Sequence, residues 1–348
     1  MPEKKLRIGI IGAGGIVRSR HLPALREVEG VEVIAVCNRS RESGESVARE
    51  WAIPEVVMDW RALVTRPDLQ VVFIGTWPYT HAEMSIAALE AGKHVFCQAR
   101  MALSLAEARQ MLAAAERHPG QVAMLCPGIG NGTQGDRLIR HLLQQVYPGE
   151  LREVHVTSFS GASADPDAPL HWRQNFDLQG YNTLSLGIRI EAIHRWVGCH
   201  RKVSAITRVH TPERRDPATG AMVPVRIAES VAIAAELENG AVGSYHFSGV
   251  APWAPEDRID LIGTRGWLSY DWGKDEVSGA SGETKQARPI PVPDELRRDW
   301  TAEADFIRAI RTGSAVEPSF ADGVKYMEFM EAVYRSAESG SAVTLPLP

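Results

Sequence analysis

The sequence predicts an α/β protein in which a doubly wound parallel sheet is followed by an α+β domain with a large, mostly antiparallel open sheet. Two observations predict the first part: short apolar runs alternate with helical segments as far as residue 126, and the chain opens with a strand, a glycine turn and a helix in that order. A third predicts the second part. From residue 127 onward the strand patterns alternate apolar and polar residues and are joined by hairpin signals. The expected domains are therefore 1–126 and 127–348.

Leu6 to Ile11 is an apolar run of buried-strand length, and Val31 to Cys37, Val56 to Val57, Gln70 to Gly75, His94 to Cys97 and Val122 to Cys126 follow as strands. Between them, Ser43 to Trp51, Trp60 to Thr65, His81 to Ala91 and Ser104 to His118 read as helical, the last opening on a capping box from Ser104 to Glu107. Apolar strands spaced by helices imply a parallel sheet covered on both faces.

Beyond Pro127, Gly128 to Gly135 is glycine-rich and polar, and Asp136 to Tyr147 reads as an amphipathic helix stopped by Pro148 and Gly149. Strands are predicted over Glu153 to Phe159, Val203 to His210, Ser230 to Leu237, Val242 to Ser248, Arg258 to Ile262 and Trp267 to Tyr270, with Asn239 and Gly240 as a hairpin turn. Gly273 to Pro293 reads as a surface loop, and Ala302 to Arg311 and Gly323 to Ser336 as the last helices. One face of the antiparallel sheet is left without helices to cover it, which predicts a homodimer or homotetramer.

Composition narrows the function. Of 348 residues, 44% are hydrophobic and 23% charged, so a core of ordinary size is available. A net charge of −5 with no long basic run points away from nucleic acid and membrane surfaces and towards a small-molecule substrate. No apolar stretch has bilayer-spanning length, and Met1 to Lys5 leads into the first strand without a signal-peptide core, so a cytoplasmic protein is expected. Cys37, Cys97, Cys126 and Cys199 are widely separated and read as reduced, mostly buried thiols. No His, Cys and carboxylate cluster has ligand spacing, so no metal is expected.

The opening segment carries the first chemistry. Gly12 permits a tight turn, Gly14 lets the backbone approach a pyrophosphate, and unpaired N–H groups at the start of the following helix meet its charge. Gly12, Gly14, Gly15 and Ile16 are the residues expected there. The third fingerprint position, usually Gly or Ala, is Val17, whose branched side chain must fit where helix and strand pack closely. At the end of the second strand the usual ribose-binding acid is absent: Cys37 is followed by Asn38, Arg39, Ser40 and Arg41. Asn38 can bond a hydroxyl without repelling a phosphate, and Arg39 or Arg41 can accept a 2′-phosphate. The cofactor is NAD or NADP, with NADP favoured; if both arginines are only solvated surface charges, NAD is left.

Several longer runs carry a resemblance: Gly9 to Ile16, His21 to Leu25, Thr76, His81 and Ala88 to Val95, then Trp172-Arg173, Leu237 to Gly240, Gly263 to Gly266 and Ala337 to Gly340. Together they resemble the glucose-fructose oxidoreductase and inositol dehydrogenase (Gfo/Idh/MocA) family over nearly the whole length. The resemblance implies a Rossmann domain, an α/β domain with a large open sheet, and a sugar-like substrate held between them. It also places Thr76, His81 and Gln98 near the cofactor.

The same resemblance exposes three departures. The family typically follows the strand ending at Cys97 with Glu-Lys-Pro, its lysine beside the nicotinamide and the substrate hydroxyl; here the residues are Gln98, Ala99 and Arg100. The family's Asp-x-Gly-x-His helix reads Ser185, Leu186, Gly187, Ile188 and Arg189. Hydride removal from an alcohol needs a proton acceptor with a pKa near the working pH, which arginine, serine and alanine do not supply. What remains is cationic and hydrogen-bonding. Arg100 and Arg189 are expected as catalytic groups that clamp a carboxylate or stabilise an oxyanion, with Tyr181 as an acid if arginines depress its pKa. Tyr79 is a second such tyrosine, and His171 a loop histidine within reach. Arg173, Asn182 and Ser185 are expected to bind substrate, Asn182 sharing a helical face with Ser185 and Arg189. Glu191 and His194 point away from that face and read as structural or packed.

The expected function is an NAD(P)-dependent oxidoreductase acting on a sugar or an acidic sugar, a uronate or aldonate, through unconventional residues. An arginine paired with a protein carboxylate or with the cofactor phosphates would remove the argument for an acidic substrate. Two alternatives stay open: a redox-neutral enzyme that uses NAD transiently to cleave glycosides by elimination, and a nucleotide-binding protein without catalysis.

Overall fold

Apolar runs of four to seven residues dominate the first third of the chain and become its parallel strands. The computed structural model describes residues 5–128, 134–282, 285–297 and 300–348. Most of the glycine-rich stretch read over 128–135 lies outside those residues. In chain order the first elements are β1 (Leu6–Ile11), α1 (Leu22–Arg26), β2 (Val31–Cys37), α2 (Arg41–Trp51), β3 (Glu55–Val56), α3 (Trp60–Val64), β4 (Val71–Ile74), α4 (His81–Glu90), β5 (His94–Cys97), α5 (Leu105–Arg117) and β6 (Ala123–Leu125). There follow α6 (Gln134–Gln144), β7 (Leu151–Phe159), α7 (Phe176–Gln179), α8 (Leu186–Val197), β8 (His200–Arg208), β9 (Glu213–Arg215), β10 (Met222–Pro224), β11 (Ser230–Leu237) and β12 (Val242–Ser248). The last are β13 (Glu256–Gly263), β14 (Gly266–Asp271), β15 (Glu276–Ser281), β16 (Arg288–Pro289), α9 (Ala302–Thr312), α10 (Phe320–Ser339) and β17 (Val343–Thr344).

The first compact unit comprises Met1–Pro127 and Thr301–Val324. Its sheet is parallel, with strand order β3-β2-β1-β4-β5-β6, the doubly wound arrangement whose switch point lies between β1 and β4. Ile8, Ile10, Val71, Val72, Val95 and Phe96 are essentially inaccessible, as strands covered on both faces require. Ser104 caps α5 by accepting from the Glu107 N–H.

A single cut at residue 126 does not describe this unit, because the chain comes back to it. Helix α9 belongs here: Phe306 is fully buried, with its ring 5.6 Å from that of Phe73 and 5.5 Å from that of Phe96. Glu303 is buried as well and pairs with Nδ1 of buried His21. Leu125 N–H donates to the Pro318 carbonyl. The amphipathic pattern of residues 302–312 gives a helix with an apolar face, and the aromatic face of β4 and β5 is what buries it.

The second unit comprises Gly128–Trp300 and Lys325–Pro348. Its sheet has nine strands in the order β16-β15-β14-β13-β7-β12-β11-β8-β17, antiparallel throughout except for the β7–β12 pair. Alternation is clean on β11 and β12: Val231, Ile233, Ala235, Tyr245 and Phe247 point inward, while Ala232, Ala234, Ser244 and His246 face outward. The stretch from Gly273 to Pro293 is more than a loop, since it contains β15 and β16. Composition hid them; residues such as Ser278 and Gly279 have little strand propensity, and the pairing of β15 along β14 is what holds them extended. The β9–β10 hairpin was equally unmarked in the sequence.

Among the described residues no helix is long and apolar enough to cross a membrane. The substitution Phe306→Ala is expected to destabilise the first unit by about 3–5 kcal/mol, the range for a large aromatic removed from a packed core. Urea unfolding followed by a probe in that unit, compared with the parent protein, checks it; a loss below about 1 kcal/mol would contradict the assignment of α9 to this core.

Candidate functional site

In the first unit the site begins at the end of β1. Gly12 has φ +82°, a backbone conformation that glycine adopts without cost, and its N–H donates to the Cys37 carbonyl. A Cβ there would lie 2.6 Å from Thr76 Cγ2 and 2.7 Å from Thr76 N. Gly14 and Gly15 are different, since a Cβ on either would meet nothing within 4 Å. The turn is closed internally, with Gly14 N–H donating to Gly12 O and Ala13 N–H to the Asn38 side chain. Helix then starts at Gly15, so the N–H groups of Gly15, Ile16 and Val17 precede any intrahelical acceptor. Open space and unpaired N–H groups at one point fit a pyrophosphate.

Val17 fits because of a residue the sequence reading missed. It is buried, and its methyl lies where a Cβ of Gly75 would have to be; that Cβ would also sit 2.6 Å from the Gly12 carbonyl oxygen. The small residue usually supplied by the third fingerprint position is supplied from β4 instead. Gly75 directly follows a strand, which is the only hint of this in the sequence.

Asn38, expected on a ribose hydroxyl, is largely committed to the protein. Its Oδ1 accepts from Ala13 N–H at 2.7 Å and its Nδ2 donates to Ser43 Oγ at 2.8 Å. Arg39 beside it is exposed and makes no hydrogen bond or ion pair among the described residues, whereas exposed Arg41 lies 3.8 Å from Glu45.

His81, expected beside the cofactor, is completely buried. Its Nδ1 is 3.0 Å from the Arg100 carbonyl oxygen and its Nε2 3.1 Å from that of Thr76. Burial pulls its pKa down, against the pull of those carbonyls, and the ring bridges two backbone segments. Thr76 Oγ1 accepts from Thr80 Oγ1 at 2.7 Å. Gln98 N–H donates to the Ile74 carbonyl, and its buried Oε1 meets no donor among the described residues. Arg100 is buried, and the Ala99–Arg100 peptide is cis. Ile16 at the helix start and Tyr79 on its turn are both exposed.

In the second unit the expected cluster comes apart. Arg189, at the family's histidine position, is buried and gives its Nε edge to Asp257: Nε to Oδ1 at 3.0 Å, and Nη2 to Oδ2. Its Cζ lies 3.5 Å from the centre of the Trp272 ring. A guanidinium forked on one carboxylate and stacked on an indole is a structural anchor. Ser185, at the aspartate position, precedes α8 without capping it and instead lies 2.7 Å from Ser158 Oγ. Asn182 does not share a helical face with them, because α8 starts only at Leu186; it is fully buried, its Nδ2 donating to the Gln179 carbonyl.

Tyr181 is not activated by arginines. Burial, then the carboxylates of Glu331 and Glu338, raise its pKa, with only Arg335 acting the other way. Arg173 is exposed, its Cζ 4.4 Å from the Trp172 ring centre, and His171 Nδ1 accepts from Arg173 N–H in a reciprocal capping box with Gln174. Burial and Arg173 lower the His171 pKa. Glu191 accepts from Arg195 Nη1 and from Gly128 N–H, and His194 packs against His200. Among the described residues no group of His, Cys and carboxylates is placed to hold a metal.

The chain matches known proteins along almost all of its length. Residues 6–125 match the NAD-binding Rossmann-fold domain of the GFO_IDH_MocA oxidoreductase family, and residues 143–345 its C-terminal alpha/beta domain. The chain is 38% identical to 1,5-anhydro-D-fructose reductase from Ensifer adhaerens, over 97% of this chain and 98% of that protein. It is 27% identical to levoglucosan dehydrogenase from Pseudarthrobacter phenanthrenivorans, over 99% of each. A solved levoglucosan dehydrogenase in complex with NADH and L-sorbose superposes with a TM-score of 0.87 at 26% identity, covering 99% of this chain and 100% of that one.

Two substitutions separate the two glycines. Gly14→Ala is expected to leave stability within about 0.5 kcal/mol, since its Cβ enters open space. It is also expected to weaken nucleotide binding at least tenfold, about 1.4 kcal/mol. Gly12→Ala is expected to lose stability as well, being both crowded and at positive φ. Thermal melts and titration with NAD and NADP read both effects.

Proposed function

The chain belongs to the Gfo/Idh/MocA family of NAD-binding oxidoreductases, and on that premise we propose that it reduces the carbonyl of a cyclic sugar, using NADPH in preference to NADH. The observation that carries the cofactor half is the pair at the end of β2. Asn38 brings no negative charge and is tied to the glycine turn, while Arg39 stands exposed beside it without a partner among the described residues. An arginine at that point suits a 2′-phosphate. The N–H groups of Gly15, Ile16 and Val17 hold the pyrophosphate, and Gln98 Oε1 offers an acceptor to the carboxamide. A bound nicotinamide cofactor supplies or accepts the hydride.

Sugar chemistry is supported by the activities named for the relatives, 1,5-anhydro-D-fructose reduction and levoglucosan oxidation. Arg100 is the residue assigned to the reacting oxygen. Its guanidinium keeps its charge through the whole working range, so it acts as a fixed donor to a developing oxyanion, and the proton comes from water. A fixed cation stabilises negative charge forming on a carbonyl oxygen without needing to titrate, which suits reduction better than abstraction of a hydroxyl proton. An acidic substrate is less favoured, because Arg189 already has its carboxylate in Asp257; Arg173 is the cation left for one.

Oxidation of NADPH and NADH followed against 1,5-anhydro-D-fructose, L-sorbose and a set of uronates tests the reading. Net oxidation with a neutral sugar is the expected result. Product formed without net oxidation would replace it with the redox-neutral alternative, and nucleotide binding with no turnover would leave a binding protein. Asn38→Asp keeps an acceptor for Ala13 N–H and adds a charge, so it is expected to move the kcat/KM ratio at least tenfold towards NADH. Arg100→Met is expected to lower kcat by about 10²–10³, the cost of removing an oxyanion donor, with nucleotide affinity unchanged. The pH profile gives a further check: the parent kcat/KM should be flat up to about pH 9.5, because arginine holds its proton above about 12. Arg100→Lys should introduce a fall on the alkaline side as the ammonium deprotonates.

A further inference from the structure

A long loop of the second unit runs from Ser160 to His171 and leads into the short 3-10 turn of Trp172–Gln174, which presents His171, Trp172 and Arg173. A loop of this length has backbone carbonyls that no strand satisfies, and three of them are gathered by one side chain. Arg214 is 1% exposed, among the largest fully buried side chains. Its Nη1 donates to the carbonyls of Asp165 at 2.7 Å and Ala168 at 3.1 Å, and its Nη2 to that of Ser163 at 2.9 Å and to Glu229 Oε1 at 3.1 Å.

Glu229, also 1% exposed, completes the device. Its Oε2 accepts from the N–H groups of His210 and Thr211, each at 2.8 Å, and its Oε1 from Arg214 and from Gln174 Nε2 at 3.4 Å. Gln174 in turn donates to Ser163 Oγ and accepts from His171 N–H, closing the circuit onto the turn itself. Each hydrogen-bond partner of the Glu229 carboxylate among the described residues is a donor, so it accepts four N–H bonds, one of them from a cation.

We infer that Arg214 and Glu229 are a positioning pair that fixes the Ser163–Gln174 segment and thereby sets how the His171–Trp172–Arg173 turn meets the sugar. This rests on the sugar reductase reading above, in that the turn is taken to face substrate. Neither residue touches the reacting atoms; both act through the loop backbone. A lysine cannot replace Arg214, because a single ammonium cannot reach three carbonyls spread over six residues and a carboxylate as well. A glutamine cannot replace Glu229, because whichever way its amide turns, an NH2 faces two donors.

The test uses the full chain bearing Glu229→Gln, with Arg214→Lys as a second variant should the first fail to fold. Hydrogen exchange of the amides in 160–175 is measured first, then kinetics with 1,5-anhydro-D-fructose and NADPH. The expected result is faster exchange confined to 160–175 and 209–214, at least a tenfold rise in sugar KM, kcat within threefold, and unchanged NADPH affinity. Unaltered exchange in that segment would overturn the pair's hold on the loop. Loosened exchange with sugar KM unchanged would overturn its role in substrate positioning. Arg173→Ala separates this inference from the reading it rests on. If Arg173→Ala leaves the sugar KM untouched while Glu229→Gln still loosens the loop, the substrate-facing reading of the turn has failed and the clasp itself stands.

Discussion

The nucleotide end of the first unit depends on how closely two strand ends can approach. Gly12 at the end of β1 and Gly75 at the end of β4 lack the side chains that would force them apart: a Cβ on either would overlap the backbone of the other turn. From that contact a chain of backbone supports leads outward. Thr76 lies against Gly12, the His81 ring lies between the carbonyls of Thr76 and Arg100, and Asn38 holds the other side of the glycine turn. The parts of the site in this unit are thus set by packing at the β1–β4 switch point, where doubly wound sheets place their ligands.

The second unit uses charge differently. Arg189 is forked on Asp257 and stacked on Trp272, and Ser185 meets Ser158. These arrangements are internally satisfied, and a satisfied buried group is a poor proton carrier because its partners would be stranded by any transfer. This is why the proposed reduction assigns the developing oxyanion to Arg100, a group that does not need to titrate. The same principle operates at Arg214 and Glu229, two buried charges that bond each other and six further polar groups.

How much of this was legible in the sequence followed from the range of each interaction. The parallel strands, the glycine turn and the Asn-Gly hairpin are local signals, and they located the fold and its β1 glycine turn. Val17 looked like a defect because its partner Gly75 is 58 positions away and nothing marks the pair. Asp257 lies 68 residues from Arg189, so a cation with no visible partner was read as a ligand clamp. Tyr181 was expected among arginines, whereas α10, more than 140 residues later, brings Glu331 and Glu338 to it and reverses the shift. Asn182 was placed by helical spacing that does not yet apply, since α8 begins four residues after it. Strand β15 was missed because its extended form comes from a neighbour and not from its own residues.

Helix α9 has a consequence for the order of assembly. With Thr301–Val324 packed into the first unit, residues 128–300 interrupt it, and the core around Phe73 and Phe96 is incomplete until Phe306 arrives. On the ribosome the chain thus makes nearly all of its strands before its first sheet can be sealed, while His21 waits for Glu303. Domains usually fold as units from the N-terminus during synthesis. This chain cannot complete its first unit in that order, because Phe306, which packs on Phe73 and Phe96, follows Leu125 by some 180 residues.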